Sequence, residues 1–235
     1  MSVNRQLDLS VVIMAFNEED NLPIQVRRTI AFLEQHTSGW QLIIVNDGSS
    51  DATGVIADDF AARYPDNIDA VHHETNGGMG VAIRSGYAAA RRTWVTQLPA
   101  DCQVDPAVFT RFFPLTTQHD IVLSVYGARD DGIIRDVLSW GFQTMIRLLL
   151  GQRGDFTGTM MFRRSLLSEV GLLHSHSFFV NLEFPIRVLE LGHSYGLVTI
   201  EAQPRLHGQS KVANLRRIRT VTREALAMRR RRRSA

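Results

Sequence analysis

Acids and amides recur in this chain wherever an apolar run stops. Asn17-Glu18 follow the first run, Asn46-Asp-Gly-Ser-Ser-Asp51 the second, and Asp101 with Gln103 a later one. Such side chains bind the polar edge of a base and the hydroxyls of a ribose, or hold a hard cation through oxygen. Asp47 and Ser49 are also turn formers, Ser50 or Asp51 can cap the next helix, and Asp105 before Pro106 reads as a helix start. Capping does not explain a second polar cluster at a neighbouring strand end. Asp101 stands without a second acid, yet one carboxylate and the Gln103 amide suffice for Mg²⁺ or Mn²⁺ if a substrate diphosphate supplies further oxygens. Asn76-Gly-Gly-Met-Gly80, followed by Arg84, is a glycine-rich turn that either is a plain tight turn or brings backbone amides close to a phosphate. It matches neither the P-loop nor the dinucleotide fingerprint, which argues against a kinase, an ATPase or a dehydrogenase.

The elements that must position these residues follow from apolar periodicity. Runs 9–16 (LSVVIMAF) and 41–45 (QLIIV), then 70–73 and 94–98, read as buried parallel strands. Between them 22–35, 51–64 and 79–92 have helical spacing. The βαβαβαβ order predicts a doubly wound, mostly parallel α/β sheet flanked by helices, with ligands at the strands' carboxyl ends. Segment 121–126 is a further strand, after which the pattern becomes mixed. Segment 137–150 (VLSWGFQTMIRLLL) contains Arg147 and is too short to span a bilayer, so it reads as a buried or an interfacial helix.

At 235 residues the chain can bury a full core, and one domain plus a tail is expected. A single cysteine, Cys102, excludes an internal disulfide and suits a reducing compartment. The polar N-terminus, residues 1–8, lacks an apolar signal region, so a cytoplasmic location is expected. The net charge of +2 hides an asymmetry: residues 216–235 carry nine arginines and one acid, which leaves 17 basic and 23 acidic side chains for the rest. From Val212 onward Leu215, Ile218, Val221, Ala225 and Met228 recur at helical spacing. That pattern reads either as a helix lying on an anionic membrane surface or as a solvated helix end that frays into the Arg229 to Arg233 run. An acidic body with no aromatic-basic surface pattern argues against nucleic acid as the partner.

Taken in this order and at these intervals, the motifs resemble family 2 glycosyltransferases of the A-type fold, and among them the polyprenyl-phosphate glycosyltransferases. The resemblance continues through Gly127-Ala-Arg129, Arg135, Arg147-Leu-Leu-Leu-Gly151, Asp155-Phe-Thr157 and Arg205-Leu-His-Gly-Gln-Ser-Lys211, and covers residues 9–211. It implies a single Rossmann-like domain over residues 1–211, and the charge pattern adds a basic helix and arginine-rich tail over 212–235. It implies that Ala15, Asn17, Glu18 and Asp47 contact the nucleotide of a nucleoside-diphosphate sugar, with Gly78, Arg84 and Ala100 bordering it. Asp101 and Gln103 would hold the metal, Arg129 and Arg135 would grip the acceptor's phosphate, and Arg205, Ser210 and Lys211 would close over the donor. Lys211 is the only lysine among 26 basic residues.

The implied activity is an inverting transfer to a polyprenyl phosphate by a peripheral enzyme on the inner face of the cell membrane. A lipid phosphate is already ionised near neutral pH and needs no strong base. A hydroxyl acceptor would need one, and Asp155 or Glu183 is then the candidate. The chain departs from the family at Pro99, where the first acid of an Asp-x-Asp pattern is expected, and at Met14 and the Asp155 segment. Nucleotidyl transfer and non-catalytic sugar-nucleotide binding are the rival readings.

Overall fold

The computed structural model describes residues 7–127, 158–201, 203 and 215–234. The strands are β1 (Asp8–Ala15), β2 (Gly39–Asn46), β3 (Ile68–His72), β4 (Trp94–Pro99), β5 (Ile121–Tyr126), β6 (Met160–Arg163) and β7 (Tyr195–Ile200). The helices are α1 (Leu22–His36), α2 (Thr53–Arg63), α3 (Met79–Ala89), α4 (Leu166–Val170), α5 (Val180–Glu190) and α6 (Leu215–Ser234). Two 3₁₀ turns, Pro106–Arg111 and Phe113–Thr117, lie between β4 and β5. All seven strands form one sheet in the order β3-β2-β1-β4-β6-β5-β7. Among them β6 alone runs against the others, pairing antiparallel with β4 on one side and β5 on the other. The expected mostly parallel α/β sheet is therefore present, with a short reversed strand between β4 and β5.

Apolar runs become strands here because both faces of the sheet are covered. Val11, Val12, Ile13, Leu42, Ile43, Ile44 and Val45 are fully buried, so residues of either parity meet a hydrophobic layer and no polar alternation survives. One layer joins Val12, Ile43, Ile83, Tyr87, Phe162 and Phe184; the other joins Val11, Ile13, Leu33, Leu42, Phe109 and Phe112. Truncating one such side chain to alanine costs about 2–5 kcal/mol, because the cavity left behind relaxes only in part. Helix α3 ends at Ala89 rather than at 92 because the next residues have other partners. The Arg91 amide donates to Gln41 Oε1 at 2.9 Å, and the Arg92 amide donates to Ser10 Oγ at 3.1 Å.

The C-terminal helix α6 is continuous through the arginine run, so that run does not fray. Val221, Ala225 and Met228 are buried in the first hydrophobic layer. The stripe that could have faced a membrane is thus committed to the core, at least over these three positions, while Arg219, Arg223 and Arg230 are exposed. Arg232 forms an ion pair with Glu190 at the end of α5. Among the described residues no helix is long and apolar enough to cross a membrane; segment 137–150 lies outside them.

Away from the strands' carboxyl ends, His193 ties together the other end of the sheet. Its Nδ1 lies 3.1 Å from Asp120 just before β5, and its Nε2 lies 2.8 Å from Glu169 of α4. Arg163 of β6 donates to the same Asp120 at 2.9 Å. The bond to Asp120, joined by Glu169, raises the histidine pKa above its ordinary value, although burial opposes this. Bonds from His193 and Arg163 lower that of Asp120, again against burial. The imidazolium contribution is therefore fully present below the unfolded-state value of 6.5 and is lost as pH rises through the folded-state value. The Asp120 contribution is present above its unfolded-state value and is lost in acid. Between about pH 6 and pH 8 the histidine dominates. The melting-temperature gap between the wild type and His193→Ala should accordingly be wider at about pH 6 than at about pH 8, read by thermal scans in matched buffers.

Candidate donor site

The carboxyl ends of β1, β2 and β4 are brought level by the parallel register, in which Ala15 pairs with Asn46 and Met14 with Pro99. From β1 the chain turns through Asn17, which has a left-handed φ of 52°. Its amide donates to Ser49 Oγ at 3.0 Å, and its side-chain oxygen accepts from the Ser50 amide at 2.9 Å. The Glu18 amide donates to Thr53 Oγ1 at 2.9 Å, while Asn21 Nδ2 donates to its carboxylate at 2.7 Å. The Ala15 carbonyl accepts the Asp47 amide at 2.9 Å. The loops after β1 and β2 are thus sewn into one polar rim. Asp51 belongs to the same rim: burial works against its charge, but donation from Thr53 and Glu19 wins and lowers its pKa.

Asp47 is the most committed residue of the rim. It is 4% exposed, and its carboxylate accepts from the Gly77 and Gly78 amides at 2.9 Å each and lies 2.7 Å from His73 Nδ1. His73 Nε2 in turn meets Ser85 Oγ of α3 at 2.9 Å. The next residue, Gly48, has φ +69°, and a Cβ there would stand 2.5 Å from the Thr75 carbonyl carbon. Only glycine fits. The glycine-rich turn of 76–80 is therefore clamped onto the end of β2, with the amino end of α3 just beyond it.

After β4, Ala100 donates to the Met14 carbonyl at 3.1 Å, and the chain reverses through Cys102 at φ 60°. Asp101 is 7% exposed, and its Oδ1 accepts the Gln103 amide at 3.2 Å. The Gln103 carbonyl accepts the Gln203 amide at 2.8 Å, which ties this turn to the segment after β7. Asp105 accepts from the Ala107 amide at 2.8 Å, the cap that the sequence suggests. Beneath the turn lies a buried polar network: Gln97 Oε1 accepts from Tyr87 Oη at 2.8 Å, its amide donates to Asn181, and its carbonyl accepts from Thr159 Oγ1 at 2.6 Å. Burial raises the Tyr87 phenol pKa, so the hydroxyl stays a donor.

Of the residues singled out by sequence, Ala15, Asn17, Glu18, Asp47, Gly78, Ala100, Asp101 and Gln103 therefore gather along this edge. Arg84 points from α3 to the carbonyl of Ser175. Glu183 does not open onto the edge: it is 2% exposed and accepts the amides of His174, at 3.1 Å and 3.2 Å, and of Ser175, at 2.9 Å. Arg129, Arg135, Asp155, Arg205, Ser210 and Lys211 lie outside the described residues. The described chain leaves at Gly127, whose amide donates to the Ile200 carbonyl, and returns at Gly158, whose amide donates to Ser124. Both points are at the same carboxyl edge. Segment 174–177 and His73 were not singled out by sequence; their one local signal was the His-Ser-His-Ser polar run between apolar stretches. A groove of ≈ 950 Å³ runs from Arg84 and Ser85 of α3 to Thr93, Arg163 and Arg164 at the opposite end of β4.

The same stretch of chain that builds the edge has known counterparts. Residues 10–171 match glycosyl transferase family 2. An undecaprenyl-phosphate 4-deoxy-4-formamido-L-arabinose transferase of Pectobacterium carotovorum is 33% identical over 176 residues, which is 74% of this chain and 54% of that protein. One of the same description from Photorhabdus laumondii is 32% identical over 77% of this chain and 56% of its own length. The chain thus spans little more than half the length of these relatives. In architecture it is similar to mannosyl-3-phosphoglycerate synthase of Rubrobacter xylanophilus, with TM-score 0.70, 18% identity and coverage of 96% and 74% of the two chains. It is also similar to glucosyl-3-phosphoglycerate synthase of Mycobacterium tuberculosis, crystallised with Mn²⁺, UDP-glucose and phosphoglyceric acid, with TM-score 0.68, 17% identity and coverage of 97% and 81%. The family match over residues 10–171 and the 33% identity over 74% of this chain show that the chain belongs to glycosyl transferase family 2.

Proposed function

We propose that this chain is an inverting glycosyltransferase that moves a sugar from a nucleoside-diphosphate donor to a polyprenyl phosphate at the inner membrane face. The observation that carries it is the edge itself: a glycine loop held against β2 by Asp47, level with a lone buried acid at the end of β4. The acceptor class is supported by relatives named for undecaprenyl phosphate. It is supported also by the placement of Glu183, which is buried against the amides of His174 and Ser175 and does not face the edge where a hydroxyl acceptor would have to meet it.

In this reading Ala15, Asn17, Glu18 and Asp47 form the nucleotide side, bordered by Gly78, Arg84 and Ala100. An oxygen of the acceptor phosphate attacks the anomeric carbon, the bond to the donor diphosphate breaks, and the nucleoside diphosphate leaves with the electron pair. Arg129 and Arg135 orient the attacking phosphate, and Arg205, Ser210 and Lys211 stabilise the departing charge. With a hydroxyl acceptor instead, Asp155 would have to take the proton. Asp101 and Gln103 present oxygen donors only, and among the described residues no group of three acids, histidines or cysteines could hold a metal. That donor set fits a hard Mg²⁺ or Mn²⁺ whose remaining ligands are substrate and water. When bound, the cation would neutralise charge on the diphosphate.

The activity is tested with a panel of nucleotide sugars and polyprenyl phosphate, with and without Mg²⁺ or Mn²⁺, reading released nucleoside diphosphate. In that assay Asp101→Ala should lower turnover by at least about 100-fold with an unchanged melting temperature; a fully active variant removes Asp101 from the chemistry. Membrane contact is assigned to the outward arginines of α6, each worth about 1 kcal/mol near an anionic surface. Replacing Arg219, Arg223 and Arg230 with glutamine should weaken flotation with phosphatidylglycerol vesicles by at least about tenfold at low salt. Binding equal to the wild type at every salt concentration would take the helix out of the membrane contact.

A further inference from the structure

Four consecutive amides, those of residues 174–177, all donate to carboxylates from two distant elements. His174 and Ser175 donate to Glu183 of α5. His176 and Ser177 donate to Glu224 of α6, at 2.9 Å and 3.2 Å. Each carboxylate also accepts a hydroxyl, Ser175 Oγ for Glu183 and Ser177 Oγ for Glu224. An ordinary surface loop satisfies its amides with water, so two acids used in this way hold a strap in one conformation.

The strap's carbonyls then reach the glycine loop. The His176 carbonyl accepts the Gly80 amide at 3.0 Å, and the Ser175 carbonyl accepts from Arg84. Contact is close enough that a Cβ on Gly80 would lie 2.5 Å from the Ser175 oxygen. On its other flank the same loop gives the Gly77 and Gly78 amides to Asp47. The loop is therefore held between Asp47 and the strap, and the strap between Glu183 and Glu224.

We infer that Glu224, with Glu183 as its counterpart, is a positioning residue: through the strap, the C-terminal helix sets the glycine loop at the geometry that receives the donor's nucleotide. The inference rests on the donor-site reading above for its ligand, but not for its mechanical part. Glu224 is far in sequence from the loop it controls and reaches it through His176 and Ser177 of the strap. A tail helix that follows the segment bearing Arg205, Ser210 and Lys211 thereby shares one set of constraints with the loop after β3.

The experiment compares wild type, Glu224→Gln and Arg232→Ala. Arg232 secures the same helix through its ion pair with Glu190 of α5 and serves as the control for a general loosening of that helix. Glutamine keeps the size of Glu224 but loses its charge, so one amide or hydroxyl of the strap is left poorly bonded. Hydrogen exchange of the unliganded proteins should then show faster exchange at residues 77–80 and 174–177 in Glu224→Gln alone. Faster exchange confined to α6, or equal in both variants, overturns the link. With UDP as probe, Glu224→Gln should raise the dissociation constant about tenfold while Arg232→Ala leaves it unchanged. Unchanged UDP affinity in Glu224→Gln overturns the positioning role. If the wild type binds no nucleotide, the donor-site reading fails, while the exchange data still decide whether the strap sets the loop.

Discussion

The buried carboxylate of Asp47 is the constraint on which the rest of the edge depends. It collects two loop amides and a histidine that arrive from beyond β3, at 2.9, 2.9 and 2.7 Å. A negative charge so enclosed is tolerable only while those donors stay in place, since a buried charge without partners is far more costly than one in water. The same requirement fixes Gly48, because the chain must reverse against Thr75 to bring the loop under the carboxylate. Once the loop is placed, the first turn of α3 is placed, and through it Arg84, Ser85 and the strap. The polar edge is one connected object rather than a set of neighbouring turns.

Division of labour between sheet and edge follows from this. The two apolar layers hold the strands in register without regard to chemistry, and they supply the bulk of the burial. The edge spends stability instead: Asn17 and Cys102, the two non-glycine residues with positive φ among those described, sit at the ends of adjacent strands β1 and β4. Backbone in that region costs about 1–3 kcal/mol where the residue is not glycine, and persists only where its surroundings over-determine it. At Asn17 the Ser49 and Ser50 contacts do so, and at Cys102 the chain is pinned before and after by Met14 and Gln203. Both strained residues therefore lie beside the polar rim.

The parallel half of the sheet was legible in sequence because burial on both faces leaves unbroken branched apolar runs. The reversed strand β6 was not: four residues, MMFR, carry no period, and their strand character comes from the edges of β4 and β5 on either side. The basic helix was legible as a helix but not in its orientation. Val221, Ala225 and Met228 give the same spacing whether they meet lipid or protein, and only the folded body decides between them. The polar rim was visible as acids and amides after apolar runs. The roles of Glu183 and Glu224 were not, since a carboxylate that accepts amides eight or 48 residues away leaves no local pattern. Helix α3 was read too long for the related reason that Arg91 and Arg92 are taken by Gln41 and Ser10, both far off in sequence.

Pro99 is where sequence and structure speak to each other most directly. It forms the last rung of β4 opposite Met14, a strand-end position where a missing N–H is tolerated. A proline there stiffens the approach to Asp101, and the left-handed Cys102 turns the chain immediately after it. The thiol is buried and its pKa is raised by desolvation, so it adds no charge beside the acid. Asp101 is then held by the Gln103 amide on one oxygen, with Gln103 itself anchored to Gln203 across the edge. Where a second carboxylate would have added charge, this chain has added rigidity: the single acid is fixed by backbone on both sides. On the proposed reading, a fixed acid would lose less entropy on meeting a cation or a diphosphate than a mobile pair does, which would let one carboxylate serve where two are expected.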